Sequence, residues 1–316
     1  MSPKAKSPSV HLQSFILKQG LVRDRVRSVA AGKATGTYLF GPPGTGKTHI
    51  ARQTLEDLDV PYHYCNGHVT PMGLFDALGE HCDKVIVIDD VGGLFKESQA
   101  MNILMAATGR QRDGHRQIDY QRSGEHRRIY FDGGLVMLSN LTLHDKPLQQ
   151  ALKSRVHYTE FDPTQDEVEA FLRDYASRSE ASIGMPQSEA LEVLEFALQC
   201  CDEYSCRLDF RLMIDKSWPD YLLWKNGKTD SRWRTDSHWQ DLVRTTIKER
   251  ADEVSEQPLS KAEEMLLDRN TLETLASQGL AGKQLLAAWN EKRGQSHSQA
   301  TMYRHLRAIK TEKVRK

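Results

Sequence analysis

The first half of the chain alternates short continuous hydrophobic runs with longer segments whose apolar residues have helical spacing. The short runs are rich in aromatic and β-branched residues, which is typical of strands that are covered on both faces. This alternation predicts a three-layer α/β fold with a mainly parallel sheet. The predicted strands are 37–40, 60–65, 85–88 and 135–138, and the predicted helices between them are 48–58, 72–81 and 98–108.

After Phe161 the spacing of apolar residues is helical throughout. Asp162 followed by Pro163 predicts the start of a helix, with Asp162 as its N-cap and Pro163 in the first helical position. An all-helical domain is therefore predicted. Its further helices are expected around Leu191, from Leu208 and from Trp239, with a polar loop at 225–237.

The last part of the chain reads as a separate small unit, preceded by a linker at 255–260 that contains Pro258. Its apolar residues would form a three-helix core, with a break at 294–297: Leu272, Leu275, Leu280, Leu285, Leu286, Trp289, Met302, Leu306 and Ile309. The predicted organisation is 1–36 as an N-terminal tail and helix (1–9 disordered), 37–160 as the α/β core, 161–254 as the helical domain and 255–316 as a basic helical module.

Charge is unevenly distributed along the chain. Lys and Arg number 43 and Asp and Glu also number 43, so the formal net charge is zero. Residues 283–316 nevertheless carry nine basic residues and two acidic ones. A basic tail on a neutral protein is typical of local nucleic-acid binding.

Cysteine spacing and hydropathy exclude several classes of protein. The five cysteines are odd in number and contain no Cys-x-x-Cys pair, which predicts neither a disulfide framework nor a zinc site. No apolar run reaches the roughly 18–20 residues that cross a bilayer, and no apolar signal core follows the N-terminus. These features predict a cytoplasmic protein without a membrane partner.

A glycine-rich loop follows the first predicted strand and precedes a predicted helix. It fits G-x-x-x-x-G-K-[ST], in which backbone N–H groups and a helix N-terminus surround phosphate oxygens. Lys47 would reach the β- and γ-phosphates, and the Thr48 hydroxyl would ligate Mg²⁺. The chain is thus predicted to be a P-loop nucleoside triphosphatase that binds ATP with Mg²⁺. The predicted nucleotide-binding residues are Gly41, Pro42, Pro43, Gly44, Thr45, Gly46, Lys47 and Thr48.

Two acids, Asp89 and Asp90, directly follow the buried run 85–88. A P-loop enzyme needs an acid for its metal ion at the end of a neighbouring strand. We predict that Asp89 holds Mg²⁺, directly or through water, and that Asp90 orients or deprotonates the attacking water.

These two motifs, followed by Asn140 at the end of the next strand, resemble the AAA+ ATPases. The resemblance covers about residues 37–254 and implies that Asn140 is the sensor 1 residue, which holds the lytic water. It implies an arginine finger at Arg155 that acts on the ATP of a neighbouring subunit in a ring or filament. The helical domain resembles the AAA+ lid and implies a sensor 2 arginine, for which Arg211 fits the family pattern better than Arg207.

The second acid departs from the family pattern. Most AAA+ proteins carry Asp-Glu where this chain has Asp89 and Asp90. The side chain of Asp90 is one methylene shorter, which leaves the rate of hydrolysis open. Superfamily 3 helicases often carry two acids here and an Asn after the next strand, so this related group is an alternative.

Residues 109–134 are predicted to contain a β-hairpin, because two β-type runs flank a Ser-Gly turn. The hairpin resembles the pre-sensor insertion of some AAA+ and superfamily 3 proteins, which faces a central pore. Its arginines would track a phosphate backbone; the alternative is a solvated hairpin that binds no ligand or one that makes subunit contacts. They are Arg110, Arg112, Arg116, Arg122, Arg127 and Arg128.

Residues 298–306 resemble the recognition helix of helix-turn-helix proteins. With Met302, Leu306 and Ile309 facing inward, four side chains would face DNA: Gln299, Tyr303, Arg304 and Arg307. A basic module that contacts protein is the alternative.

The predicted function is an ATP-hydrolysing AAA+ protein that acts on DNA as an oligomer. Helicase loaders, replication or transposition regulators and mobile-element motors fit this description. A superfamily 3-like replicative helicase is the first alternative. A protein-remodelling ATPase with a C-terminal adaptor is the second, and its pore loop would need an aromatic residue, for which the segment 92–95 is the nearest match.

Overall fold

The computed structural model describes the chain in ten segments: 9–109, 115–122, 125–143, 146–178, 183–256, 271–273, 275–276, 280–293, 298–299 and 301–307. Several predictions concern other residues and lie outside this part of the chain. They are the tail before Ser9, the roles of Arg110 and Arg112, the linker with Pro258, the break at 294–297 and the inward position of Ile309.

Five parallel strands form the central sheet, which confirms the predicted α/β class. They are β1 (Gly36–Phe40), β2 (Tyr62–Asn66), β3 (Val85–Asp89), β6 (Leu135–Ser139) and β7 (His157–Glu160), in the spatial order β2-β3-β6-β1-β7. β7 was not predicted from the hydrophobic pattern, because its four residues, His-Tyr-Thr-Glu, contain no apolar run and none of them is fully buried. It pairs with β1 at the edge of the sheet, with His157 opposite Thr37.

Helices cover both faces of the sheet, because alternate residues of each strand enter different hydrophobic clusters. The helices are α1 (Val10–Ala30), α2 (Lys47–Asp57), α3 (Pro71–Glu80), α4 (Ser98–Ala107), α5 (Pro147–Lys153) and α6 (Gln165–Ser177). Leu39 packs with α1, α2 and α6, whereas its neighbour Tyr38 packs with α3, α4 and α5.

Thr164, not Asp162, is the N-cap of α6, which corrects the predicted helix start. The Thr164 hydroxyl accepts a hydrogen bond from the backbone N–H of Glu167, and the Glu167 carboxylate accepts one from the backbone N–H of Thr164. This reciprocal capping box satisfies two backbone donors, which a cap at Asp162 would not do. Asp162 instead forms an ion pair with Arg207.

The remaining helices of this region are α7 (Gln187–Glu203), α8 (Trp218–Asn226) and α9 (Trp239–Glu256). A seven-residue π-helix (Arg211–Ser217) leads directly into α8, and a short 3₁₀ turn (Ser231–Trp233) interrupts the predicted loop at 225–237. None of the described helices is long and apolar enough to cross a membrane.

The insertion before β6 is an antiparallel hairpin of β4 (Arg116–Arg122) and β5 (Glu125–Phe131), with Ile118 opposite Ile129. One of its faces packs against the core, where Tyr120 contacts Phe75 of α3. The hairpin is thus a fixed part of the α/β body.

The chain divides into two compact units, residues 1–251 and 252–316. In the second unit, α10 (Gly282–Arg293) and the helical residues 301–307 share a small core. That core contains Leu272, Leu275, Leu285, Trp289 and Met302.

Candidate functional site

A cavity of about 820 Å³ opens at the carboxyl ends of the parallel strands in the first unit. Its wall includes the loop between β1 and α2, the ends of β2, β3 and β6, and one side of the π-helix. Ligands of open α/β sheets bind at this edge, where strand ends and helix N-termini converge. The cavity is therefore the candidate functional site.

The loop at 41–48 adopts a conformation that only glycine permits at several positions. Gly44 and Gly46 have φ of +74° and +88°, and a Cβ on Gly44 would collide with the Asp209 carboxylate. Gly46 then becomes the N-cap of α2, so the free N–H groups of the helix point into the loop. The sequence GPPGTGKT thus folds into a cradle for an anion.

Lys47 is buried beneath this loop. Its Nζ donates to the carbonyl oxygens of Gly41 (2.8 Å) and Pro42 (2.7 Å) and to Oδ1 of Asn140 (3.2 Å). Desolvation lowers the pKa of Lys47 to about 8, and the nearby Asp89 and Asp90 only partly oppose this shift. Lys47 is therefore a preorganised cation whose charge an incoming phosphate would stabilise.

Thr48 and Asp89 both line the cavity and contact each other. The Thr48 hydroxyl donates to Oδ2 of Asp89 at 2.9 Å, which places a hydroxyl and a carboxylate side by side beside the phosphate cradle. Mg²⁺ prefers such oxygen ligands and usually retains waters and substrate phosphates as further ligands. The residues present therefore fit a magnesium site formed by Thr48 and Asp89.

Asp90 and Asn140 complete the polar end of the cavity. Nδ2 of Asn140 donates to Oδ1 of Asp90 at 3.2 Å, so one amide contacts both Lys47 and Asp90. Asp90 has φ of +52°, a left-handed conformation that is uncommon for any residue other than glycine. Such strained residues cluster at functional sites.

The three candidate arginines lie in different surroundings. Arg211, the first residue of the π-helix, lines the cavity. Arg207 does not; it forms an ion pair with Asp162 and donates to the carbonyl oxygen of Pro163. Arg155 lines a second cavity of about 450 Å³ beside the amino ends of β1 and β7, and it donates to the carbonyl oxygen of Ala151.

Tyr64 was not predicted from the sequence as a site residue. It lies on β2, lines the cavity and donates its hydroxyl to Oδ2 of Asp89 at 2.6 Å. Burial and the hydrogen bond to Asp89 raise the pKa of Tyr64 to about 12. No sequence signal marks it, because the contact depends on which strand neighbours β3.

Gln19 is a second cavity residue that the sequence analysis missed. It is 8% exposed and occupies a position in the buried stripe of α1, whose other members are apolar. A polar residue in an otherwise apolar stripe could have marked Gln19 as a candidate site residue from the sequence, because exceptions to the hydrophobic pattern are expected at functional sites. The stripe consists of Leu12, Phe15, Gln19, Val22, Val26 and Val29.

Described side chains of two predicted contact surfaces make contacts within the chain. Leu94 and Phe95 of the segment 92–95 are 1% and 4% exposed, so this aromatic side chain is part of the core. The described hairpin arginines each contact the chain: Arg116 donates to the carbonyl oxygen of Phe131, Arg127 pairs with Asp76, and Arg128 pairs with Asp119. The side chain of Arg122 lies outside the described part of the chain.

Comparison with known proteins identifies the domain that carries the site. Residues 37–118 match the model of the ATPase family associated with various cellular activities (AAA). The ATP-dependent zinc metalloprotease FtsH 1 of Petrotoga mobilis (strain DSM 10674 / SJ95) is 32% identical over 85 residues. That alignment covers 23% of this chain and 13% of the protease, so the chain spans a small part of this relative.

Among solved structures, a RuvB variant from Thermotoga maritima aligns with 90% of this chain and 82% of its own, at 18% identity and a TM-score of 0.44. The family match contains the loop at 41–48 together with Asp89 and Asp90. Residues 37–118 thus form a domain similar to the AAA ATPases, and three of its side chains, Lys47, Asp89 and Asp90, line the cavity.

Proposed function

We propose that this chain is an AAA+ protein that binds ATP with Mg²⁺ and uses its hydrolysis to act on DNA as an oligomer. A helicase loader, a replication or transposition regulator and a mobile-element motor are the roles that fit. The observation that carries the proposal is the convergence of six side chains on one cavity: Lys47, Thr48, Asp89, Asp90, Asn140 and Arg211.

Each of these side chains has a chemical role at the position it occupies. Lys47 would neutralise the β- and γ-phosphates, and Thr48 and Asp89 would hold Mg²⁺, which offsets charge on the phosphate oxygens when bound. Asp90 would accept the proton of the attacking water, which Asn140 would orient through its amide. Arg211 would contact the phosphates from the helical side of the cavity.

Oligomerisation is proposed because Arg155 lies away from the nucleotide cavity of its own chain. Its guanidinium borders a separate cavity together with Lys33 and His157, so it would reach a triphosphate only on another copy. An arginine supplied in trans offsets charge in the transition state and is worth about 10³–10⁵ in kcat. A ring or filament would provide that arrangement.

DNA is proposed as the partner because of the C-terminal unit. Met302 is buried there, whereas Tyr303 is 47% exposed and Arg304 and Arg307 are also exposed. An aromatic and basic outer face on a helix is typical of the elements that enter a DNA groove.

The two alternative functions receive less support. A protein-remodelling role calls for an exposed pore-loop aromatic, and Phe95 is buried. A superfamily 3-like helicase calls for hairpin arginines that are free to follow a DNA strand, and Arg116, Arg127 and Arg128 are held by contacts within the chain.

The test measures ATPase rate against protein concentration for the wild type, Arg155→Ala and the control Arg178→Ala, each with and without single- or double-stranded DNA. Arg178 is an exposed arginine paired with Asp174, outside both cavities. We expect a wild-type rate that rises more steeply than protein concentration and that DNA stimulates. Arg155→Ala should lose about 10³-fold or more, and Arg178→Ala should retain the wild-type rate.

A rate proportional to protein concentration, indifferent to DNA and unchanged in Arg155→Ala would contradict both the oligomeric and the DNA-directed parts of the proposal. Mixing Arg155→Ala with Lys47→Ala adds a sharper check, because each variant lacks what the other supplies. Recovery of activity in the mixture would place Arg155 and Lys47 on different chains of one site.

A further inference from the structure

The phenol of Tyr64 contacts the carboxylate that fits the magnesium site. Oδ2 of Asp89 accepts two hydrogen bonds, one from Tyr64 at 2.6 Å and one from Thr48 at 2.9 Å. Both donors meet the same oxygen atom of Asp89, a residue that lines the cavity, and neither of them uses Oδ1.

Tyr64 is itself held in place from the side of α2. The guanidinium of Arg52 lies 5.0 Å from the centre of the Tyr64 ring. The ring of Tyr64 thus packs against Arg52 of α2, and its hydroxyl donates to Asp89.

We propose that Tyr64 is a positioning residue for magnesium: its hydroxyl holds one oxygen of Asp89 and thereby orients the other toward Mg²⁺. This inference rests on the proposed binding of ATP with Mg²⁺. Without the Tyr64 hydroxyl, Thr48 would be the donor that remains on Oδ2 of Asp89, so the carboxylate would sample more rotamers. Ordering it at the moment of binding would then weaken metal affinity. Partners that orient a ligand in this way typically change metal affinity or activity by about 10–100-fold.

Tyr62 provides a matched control for the removal of one hydroxyl. It lies two residues away on β2 and has a hydroxyl that contacts Arg52 and Glu56, not Asp89. Tyr64→Phe and Tyr62→Phe each delete a single oxygen atom and retain the ring. A difference between the two variants therefore reports the contact with Asp89.

The experiment measures the affinity of a fluorescent ATP analogue for the full chain in excess Mg²⁺ and in EDTA. The quantity compared is the ratio of the two affinities, because this ratio measures how much Mg²⁺ contributes to binding of the nucleotide. We expect Tyr64→Phe to lower this ratio by about tenfold or more with its affinity in EDTA unchanged. Tyr62→Phe should keep the wild-type ratio, and melting temperatures should show that all three proteins are folded.

Three results would overturn the inference: an unchanged ratio in Tyr64→Phe, an equal loss of affinity in EDTA and in Mg²⁺, or the same fall in Tyr62→Phe. A wild type that does not bind the analogue under either condition would instead refute the proposed nucleotide site. The failure of the positioning role and the failure of the proposed function are thereby distinguished.

Discussion

Asp90 combines a strained backbone with a central place in the site. Its φ of +52° turns the chain sharply after β3, and the turn brings its carboxylate against the amide of Asn140. Holding a non-glycine residue in this region costs on the order of 1 kcal/mol. The turn lets the shorter Asp side chain face the same cavity as Lys47 and Thr48.

Asp90→Asn removes the carboxylate and should keep the backbone conformation, because Asn has nearly the same shape and tolerates the left-handed region well. Loss of the base should lower kcat by about 10²–10⁴-fold with little change in ATP affinity. Single-turnover hydrolysis and equilibrium nucleotide binding measure the two quantities separately.

Asp59→Asn is the control, because Asp59 has the same φ of +52° and is not among the residues that line the cavity. It should leave kcat unchanged. A full rate in Asp90→Asn would remove the proposed role of Asp90 in activating water.

Sequence spacing predicted which polar residues come together, because the ends of parallel strands meet at one edge of the sheet. The loop at 41–48, Asp89 and Asn140 therefore share a cavity as expected. Tyr64 was missed because its contact arises from the pairing of β2 with β3, where Tyr64 lies opposite Val87. The order of strands in the sheet is set by packing, so the spacing of motifs along the sequence does not predict it.

At the scale of the element, Glu167 ties α6 to α1. Its carboxylate accepts hydrogen bonds from Ser14 (2.6 Å) and Lys18 (2.7 Å) of α1 as well as from its own helix cap. Burial alone would raise the pKa of Glu167, but the donors from Lys18, Ser14 and Thr164 outweigh it and the pKa is lowered. The charged form therefore stabilises the fold.

Glu167→Gln should destabilise the protein by about 1–2 kcal/mol at pH 7, because it removes a charged acceptor from a nearly buried site. A group with a lowered pKa in the folded state contributes stability above its unfolded value, near 4.3, and loses it as pH falls through the folded value. The difference in melting temperature between wild type and variant should therefore shrink below about pH 4.

The control is Glu169→Gln, whose carboxylate forms an i,i+4 pair with Arg173 on the same helix. Such exposed pairs are worth about 0.3–0.5 kcal/mol. Equal effects of the two substitutions at pH 7 would contradict a special role for Glu167.

Element boundaries were predicted least well where two signals competed. Asp162 and Pro163 both favour a helix start, yet the capping box of Thr164 and Glu167 determines where α6 begins. β7 was missed because this edge strand has four residues, none of them fully buried, and therefore no apolar pattern that marks a strand. The buried strands β1, β3 and β6 were recognised, since continuous apolar runs leave little choice.

At the scale of the whole molecule, the cavity and the C-terminal residues 252–316 belong to two different compact units. If DNA is bound through the second unit, its basic side chains should act through phosphates and leave nucleotide binding intact. The two activities are then separable by substitutions in different units.

Arg304→Ala should weaken DNA binding and reduce the slope of log affinity against log salt concentration by about one, because one phosphate contact is lost. ATP affinity should remain at the wild-type value. Fluorescence anisotropy with a labelled duplex over a range of salt concentrations measures the slope.

Arg232→Ala is the comparison, since Arg232 is an exposed arginine of the first unit paired with Asp230. An unchanged salt slope in Arg304→Ala would indicate that this helix does not contact DNA and would favour a protein partner for the C-terminal unit.

The contact between Gly44 and Asp209 links the loop at 41–48 to the residues that precede the π-helix. The backbone N–H of Phe210 donates to the carbonyl oxygen of Gly44 at 3.0 Å, and the Asp209 carboxylate, paired with Arg250, fills the space where a side chain on Gly44 would stand. Direct contacts therefore connect the loop at 41–48 to the start of the π-helix and, through Arg250, to α9. We expect a displacement of α9 to be transmitted along these contacts to the loop.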